Sequence, residues 1–98
     1  MHIAIAPFRL KDGITQDNLL AASDAFEEQF VQKQDGILRR ILVSDEKGGY
    51  ADVVFFEDLA AIERVLQAEQ DSDVCAEFFA IMDSDGSHQV YHVLKTYR

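Results

Sequence analysis

The segment Ala51-Asp-Val-Val-Phe-Phe-Glu-Asp58 is apolar at consecutive positions and then turns, within two residues, into an acidic helix start. A strand on a sheet covered from one side only alternates apolar and polar residues. The run Val53-Val54-Phe55-Phe56 does not alternate, so it asks for cover on both faces of its sheet. A chain of 98 residues holds too few elements to supply both covers. The expectation is a sheet whose second face is closed by another subunit, with any small-molecule pocket between sheet and helices or inside the closed barrel.

The rest of the chain supplies the elements for such a sheet. Residues 2–10 are β-rich, with Pro7 placed near the strand's end, where a missing N–H is tolerated. Lys11-Asp-Gly-Ile14 is a turn, and Thr15 caps a helix whose apolar positions Leu19, Ala22, Phe26 and Phe30 follow helical spacing and which ends before Asp35-Gly36. Residues 37–44 and 50–57 read as two strands joined by the hairpin turn Glu46-Lys-Gly-Gly49. Asp58 caps a second helix, in which Leu59, Ile62, Val65 and Leu66 share a face. The helix breaks around Asp71-Ser72, and Asp73 to Met82 form a further, very apolar helical segment. Asp83-Ser-Asp-Gly86 turns the chain, and His88 to Tyr97 alternate as a fourth strand. The order β-α-β-β-α-β predicts an α+β, ferredoxin-like sandwich: a four-stranded antiparallel sheet with helices on one face, as a single domain over 1–98.

Composition removes several function classes. A net charge of -9 argues against nucleic acid or an anionic membrane as partner, because both are held by dense Lys and Arg. The acids at Glu27, Glu28, Glu63, Glu69, Asp71 and Asp73 read as a solvated surface that keeps the chain in solution. No apolar run approaches the roughly 20 residues of a membrane span. The opening Met1-His-Ile-Ala-Ile-Ala leads straight into a strand pattern, so no signal peptide is expected and the cytoplasm is the expected location. The single cysteine, Cys75, excludes an internal disulfide and any CxxC motif, and reads as a small buried hydrophobe.

Hairpin register decides which side chains reach a pocket. If the turn is centred between Lys47 and Gly48, Arg39 lies opposite Phe56, Ile41 opposite Val54 and Val43 opposite Asp52, with Tyr50 beside them. Arg40, Leu42, Val53 and Phe55 then share the opposite face, toward the helices, while Val54 and Phe56 face the barrel. A bulge at Gly48-Gly49 shifts the register by one and exchanges the faces on one strand.

The βαββαβ order, the strand-to-helix junction Val54-Phe-Phe-Glu-Asp58 and the segment Ser72-Asp-Val-Cys-Ala-Glu-Phe-Phe79 resemble the antibiotic-biosynthesis monooxygenase family, within the dimeric α+β barrel superfamily. The resemblance spans essentially the whole chain. It implies a homodimer whose sheets pack into a barrel, and an activity that oxidises a small flat aromatic or quinol-like molecule without cofactor or metal. Members of a haem-cleaving branch carry an Asn at the end of the first strand, a Trp where the third strand meets the second helix, and a His late in the second helical segment. By motif these fall on Phe8, Phe56 and Phe79. Phenylalanine offers iron no nitrogen ligand, so haem degradation at that site is disfavoured. Three phenylalanines around one cavity instead make an aromatic wall for a flat, apolar organic ligand, although the same spacing also serves an ordinary core.

A cofactor-free oxygenase needs a base, or a cation that stabilises a phenolate, in a water-poor site beside an aromatic platform. Within the implied activity, His92 is the expected base, Arg39 the expected stabiliser of negative charge, and Phe8, Phe56, Phe79, Tyr50, Asp52 and Val54 the expected substrate contacts. His88 and His92 lie on one strand face, about 13 Å apart, which is too far for one metal ion. Each candidate has a structural alternative: His88 a solvated strand start, His92 a hydrogen-bonded structural histidine, and Arg39-Arg40 a charged guard on a sheet edge. The competing function is a non-catalytic ligand-binding or stress-response module whose cavity those phenylalanines fill.

Overall fold

In the computed structural model, which describes residues 1–98, five strands form one antiparallel sheet and three helices lie on one of its faces. The strands are β1 (His2–Leu10), β2 (Ile37–Ser44), β3 (Gly49–Phe56), β4 (Met82–Asp83) and β5 (Gln89–His92). The helices are α1 (Gln16–Gln29), α2 (Leu59–Glu69) and α3 (Asp73–Ala80), with a short 3-10 turn at Val31–Lys33. Sheet order runs β2-β3-β1, and β4 and β5 share the remaining edge of β1. None of the helices is long and apolar enough to cross a membrane.

Each helix starts where a side-chain oxygen satisfies otherwise unpaired N–H groups. Thr15 Oγ1 accepts from the Asn18 N–H while Asn18 Oδ1 accepts from the Thr15 N–H, a reciprocal capping box. Asp58 and Ser72 cap α2 and α3 through the N–H groups of Ala61 and Cys75. The helices bury Leu19, Phe26, Ala61, Ile62, Val65, Cys75 and Phe78 against Phe8 and Phe56 of the sheet.

Three details differ from the sequence reading. The hairpin loop has three residues, Glu46 to Gly48, rather than two. Asp45 and Gly49 close it, with the Asp45 N–H donating to the Gly49 carbonyl and Asp45 Oδ1 accepting from the N–H groups of Lys47 and Gly49. Glu46 and Gly48 both take positive φ, the geometry such a loop needs. The register therefore moves by one: Arg40 pairs with Val54, Ile41 with Val53 and Leu42 with Asp52, with a bulge between Ile37 and Arg39. Arg40, Leu42, Tyr50, Asp52, Val54 and Phe56 face the helices, and Arg39, Ile41, Val53 and Phe55 face outward: β2 presents its faces as expected, whereas those of β3 are exchanged.

The second difference is on the far edge. Met82–Asp83 pairs with Arg9 and Leu10 as a separate short strand, and the final strand covers Gln89–His92 rather than running to Tyr97. After the Val93 N–H donates to the Met1 carbonyl, the chain has no further neighbour to pair with, and Leu94 and Tyr97 are exposed. Third, Pro7 sits inside β1 rather than near its end, opposite Ala51. Its carbonyl accepts from Ser84 Oγ at 3.4 Å, so its missing N–H points to the same side, into the gap between β4 and β5 where no strand would receive it.

Candidate active site

A cavity of about 240 Å³ opens between the helices and the inner face of the sheet. Ala4, Ala6, Phe8, Val54 and Phe56 form its sheet wall; Phe26, Ile62, Val65, Phe78 and Phe79 form its helical wall. Ser84, Gly86, Ser87 and His88, from the loop that fills the gap beside Pro7, line its exposed mouth.

Few polar groups reach this space, and most of them are tied down. The Arg40 guanidinium is buried, with its side chain 6% exposed. Its Nε donates to both Asp52 oxygens at 2.9 and 3.1 Å, Nη1 to Glu27 Oε1 at 3.3 Å and Nη2 to Ser23 Oγ at 2.7 Å. It also lies 4.9 Å from the Phe26 ring centroid and 5.4 Å from that of Phe78. Burial pushes the Asp52 carboxyl above its ordinary range, Arg40 pulls it back, and the charge of Glu27 pushes it further up.

Glu69 is different. It ends α2 and lines the cavity, yet its carboxylate makes no hydrogen bond and no ion pair. Removal from water, and then the negative charge of Asp52, raise its carboxyl to about 7. Its place at a helix C-terminus, with no basic residue in the last turn, works in the same direction. Cys75 is buried nearby, and its thiol is pushed up by burial and by the charge of Glu69, while the Ser72 hydroxyl pulls it down.

Of the residues singled out from sequence, Phe8, Phe56, Phe79, Asp52 and Val54 converge on this one cavity. Tyr50 turns away from it: its ring stacks on Phe8 at 5.7 Å and its hydroxyl donates to Gln16 Oε1 at 3.2 Å. Arg39 lies on the outer face, 5.9 Å from the Phe55 centroid, because the three-residue hairpin loop places Val54 and Phe56 on the face of Arg40 rather than on that of Arg39. His92 also lies outside the cavity, on the exposed edge strand, where its ring stacks on His2 at 4.7 Å. The burial of His2 and the charge of His92 push the His2 imidazole below its ordinary range. No three His, Cys, Asp or Glu side chains converge as a metal-ligating group.

Three cavity residues, Arg40, Glu69 and His88, were not among the expected contacts, and the first two left a signal. Asp52 stands in an apolar strand and required a buried cation, which Arg40 supplies from the diagonal position on β2. Ile62, Val65, Leu66 and Glu69 occupy i, i+3, i+4 and i+7, so Glu69 extends the apolar stripe of its helix rather than a solvated face. Glu27 is likewise part of the Arg40 cluster and not only a surface charge. Nothing in the sequence marks His88 as a cavity residue, since its place depends on the course of the 84–88 loop.

No family model and no curated protein matches the chain. The likeness is to solved structures. SnoaB, a cofactor-independent oxygenase from Streptomyces nogalater, superposes with a TM-score of 0.75 at 18% identity, over 97% of this chain and 94% of that one. An antibiotic biosynthesis monooxygenase superposes with a TM-score of 0.74 at 20% identity, over 97% of this chain and 100% of the other. This chain has the antibiotic biosynthesis monooxygenase fold. Rv0793 from Mycobacterium tuberculosis shares that fold too, with a TM-score of 0.70 at 17% identity over 99% of this chain and 98% of that one. At such identities the likeness carries the architecture, and the chemistry has to be argued from the side chains of this chain.

Proposed function

We propose that the protein is a cytoplasmic, homodimeric, cofactor-independent monooxygenase acting on a small, flat aromatic molecule with an acidic C–H or O–H. The observation that carries this reading is the cavity itself: apolar, walled by phenylalanine rings, and open at one loop. At about 240 Å³ it lies below the roughly 300–1,000 Å³ of sites for drug-sized ligands, so the ligand is small.

The electrostatics narrow the ligand further. Arg40 and His88 are the basic residues that line the cavity, and the charge of Arg40 is already shared by the carboxylates of Asp52 and Glu27, which with Ser23 take three of its five N–H groups. An anion formed here receives little help from the protein and has to spread its charge over its own rings. A methylene flanked by aryl groups, as in anthrone, meets that demand. Loss of a proton leaves a delocalised carbanion that dioxygen can oxidise; one oxygen atom becomes the ring carbonyl, and the other leaves as water with both methylene hydrogens. No external reductant enters this balance.

The homodimer is supported by the outer sheet face, where Ile3, Ile5, Ile41, Val53 and Phe55 lie together with no element of the chain over them. The function is tested by dioxygen uptake with anthrone and a panel of quinols, with ¹⁸O₂ used to follow the atoms. Uptake with one ¹⁸O in the product carbonyl is the expected result. Micromolar binding of the same panel with no uptake would replace this reading by that of a ligand-binding protein.

A further inference from the structure

We propose that Glu69 is the proton acceptor for a carbon or oxygen acid bound in this cavity, an assignment that rests on the ligand reading given above. A base in an apolar site must satisfy three geometric conditions: it reaches the cavity, it keeps a free lone pair, and nothing else holds it in the ionised state. Glu69 meets all three, since it lines the cavity and has neither a hydrogen-bond donor nor a cation against its carboxylate.

The neighbouring groups fail one condition each. Both Asp52 oxygens accept from Arg40 Nε, and Glu27 Oε1 accepts from Arg40 Nη1. Cys75 is buried, and its thiol is pushed away from the thiolate. His92 lies outside the cavity, and His88 is exposed at its mouth. The other charged and titratable groups at or beside the cavity are Asp52 from β3, Arg40 from β2 with its partner Glu27 from α1, Cys75 from α3 and His88 from the mouth. Of these, the negative charge of Asp52 acts on Glu69 together with its removal from water, and both favour the protonated form. A Glu69 that has taken a proton from the ligand is therefore stabilised by its surroundings.

The proton balance is simple. The ligand C–H or O–H bond breaks, its electron pair stays on the ligand, and the proton goes to a Glu69 carboxylate oxygen. In the oxidation that proton is then available to the oxygen atom that leaves as water, which returns Glu69 to its carboxylate form. The burial that raises Glu69 to about 7 matches it to this task, because a base works best with a pKa near the working pH.

The test separates proton transfer from oxidation. Under argon in D₂O, proton NMR follows hydrogen–deuterium exchange at the anthrone methylene with the wild type, Glu69→Gln and Glu69→Asp. Anthraquinone binding, read by protein-detected NMR shifts, checks that each variant keeps its cavity. The expected result is accelerated exchange in the wild type, with a rate rising through pH 7. Glu69→Gln should lose at least 100-fold with anthraquinone binding retained, and Glu69→Asp should recover part of the loss. Exchange in Glu69→Gln within threefold of wild type would overturn the assignment, even if dioxygen uptake upheld the oxygenase. Exchange that needs Glu69, without dioxygen uptake, would uphold the assignment and overturn the oxygenase. A wild type that neither exchanges nor takes up dioxygen would overturn both.

Discussion

Glu69 and Arg40 carry opposite burdens in the same space. Arg40 is buried with its partners in place, and removing one of them leaves a charge in a low-dielectric site. Asp52→Ala is therefore expected to destabilise the fold by about 3 kcal/mol, read as a lower urea midpoint at pH 7. Glu69 is half-buried without a partner, so its ionised form works against folding. Its carboxyl is pushed up from the ordinary 4.5 to about 7 in the folded chain, so the native chain holds this proton more tightly than the unfolded one. Stability from this group is accordingly full below pH 4.5, falls as pH rises through about 7, and is flat above. Glu69→Gln keeps the shape and removes the titration. It should match wild type near pH 4 and exceed it at pH 8 by about 2 kcal/mol, a figure reduced for the partial exposure of the group. Equal stability at both pH values would contradict a raised Glu69.

At the scale of elements, the turns set what the strands present. Gly36 takes φ +92, and a Cβ there would come within 2.5 Å of the buried Ala61 Cβ, while its carbonyl accepts from the Glu57 N–H. Gly36→Ala therefore combines a left-handed backbone with a clash, and should cost about 2–3 kcal/mol, measured by chemical denaturation. The hairpin shows where sequence reasoning stops. The starts of α1 and α2 and the strands β2 and β3 were legible because Thr15 and Asp58 are capping residues at the head of apolar stripes, and β2 and β3 are dense in branched and aromatic residues. Register was not, since Glu46-Lys-Gly-Gly49 is compatible with a two-residue or a three-residue loop, and the choice exchanges Arg39 for Arg40 at the cavity. Phe8, Phe56 and Phe79 could be placed together from motif positions alone. Glu69 could not, because its surroundings come from β2, β3 and α1, which are distant in sequence.

For the whole molecule, the uncovered sheet face is the feature with the largest energetic reach. Isoleucine, valine and phenylalanine side chains there remain half-exposed in a single chain, and covering each contributes on the order of 1 kcal/mol or more. Light scattering should find two chains per particle, and Phe55→Lys, at the middle of that face, should shift the population toward single chains. A wild type that stays monomeric at high concentration would contradict the homodimer. The same half-exposed face explains why β3 is apolar at consecutive positions, with Val54 and Phe56 serving the cavity side and Val53 and Phe55 the other.

Pro7 interrupts the edge of β1 where β4 ends and β5 has not begun, and the 84–88 loop crosses that interruption to form the cavity mouth. The frame on either side is held by strand pairing, whereas the loop between is joined to Pro7 only through the weak Ser84 contact. Insertions or substitutions within 84–88 can therefore change which molecules enter without disturbing the sheet or the phenylalanine walls. Ligand selection and fold stability are thereby written into separate stretches of the chain, and divergent relatives of this protein should differ most in the length and polarity of that loop.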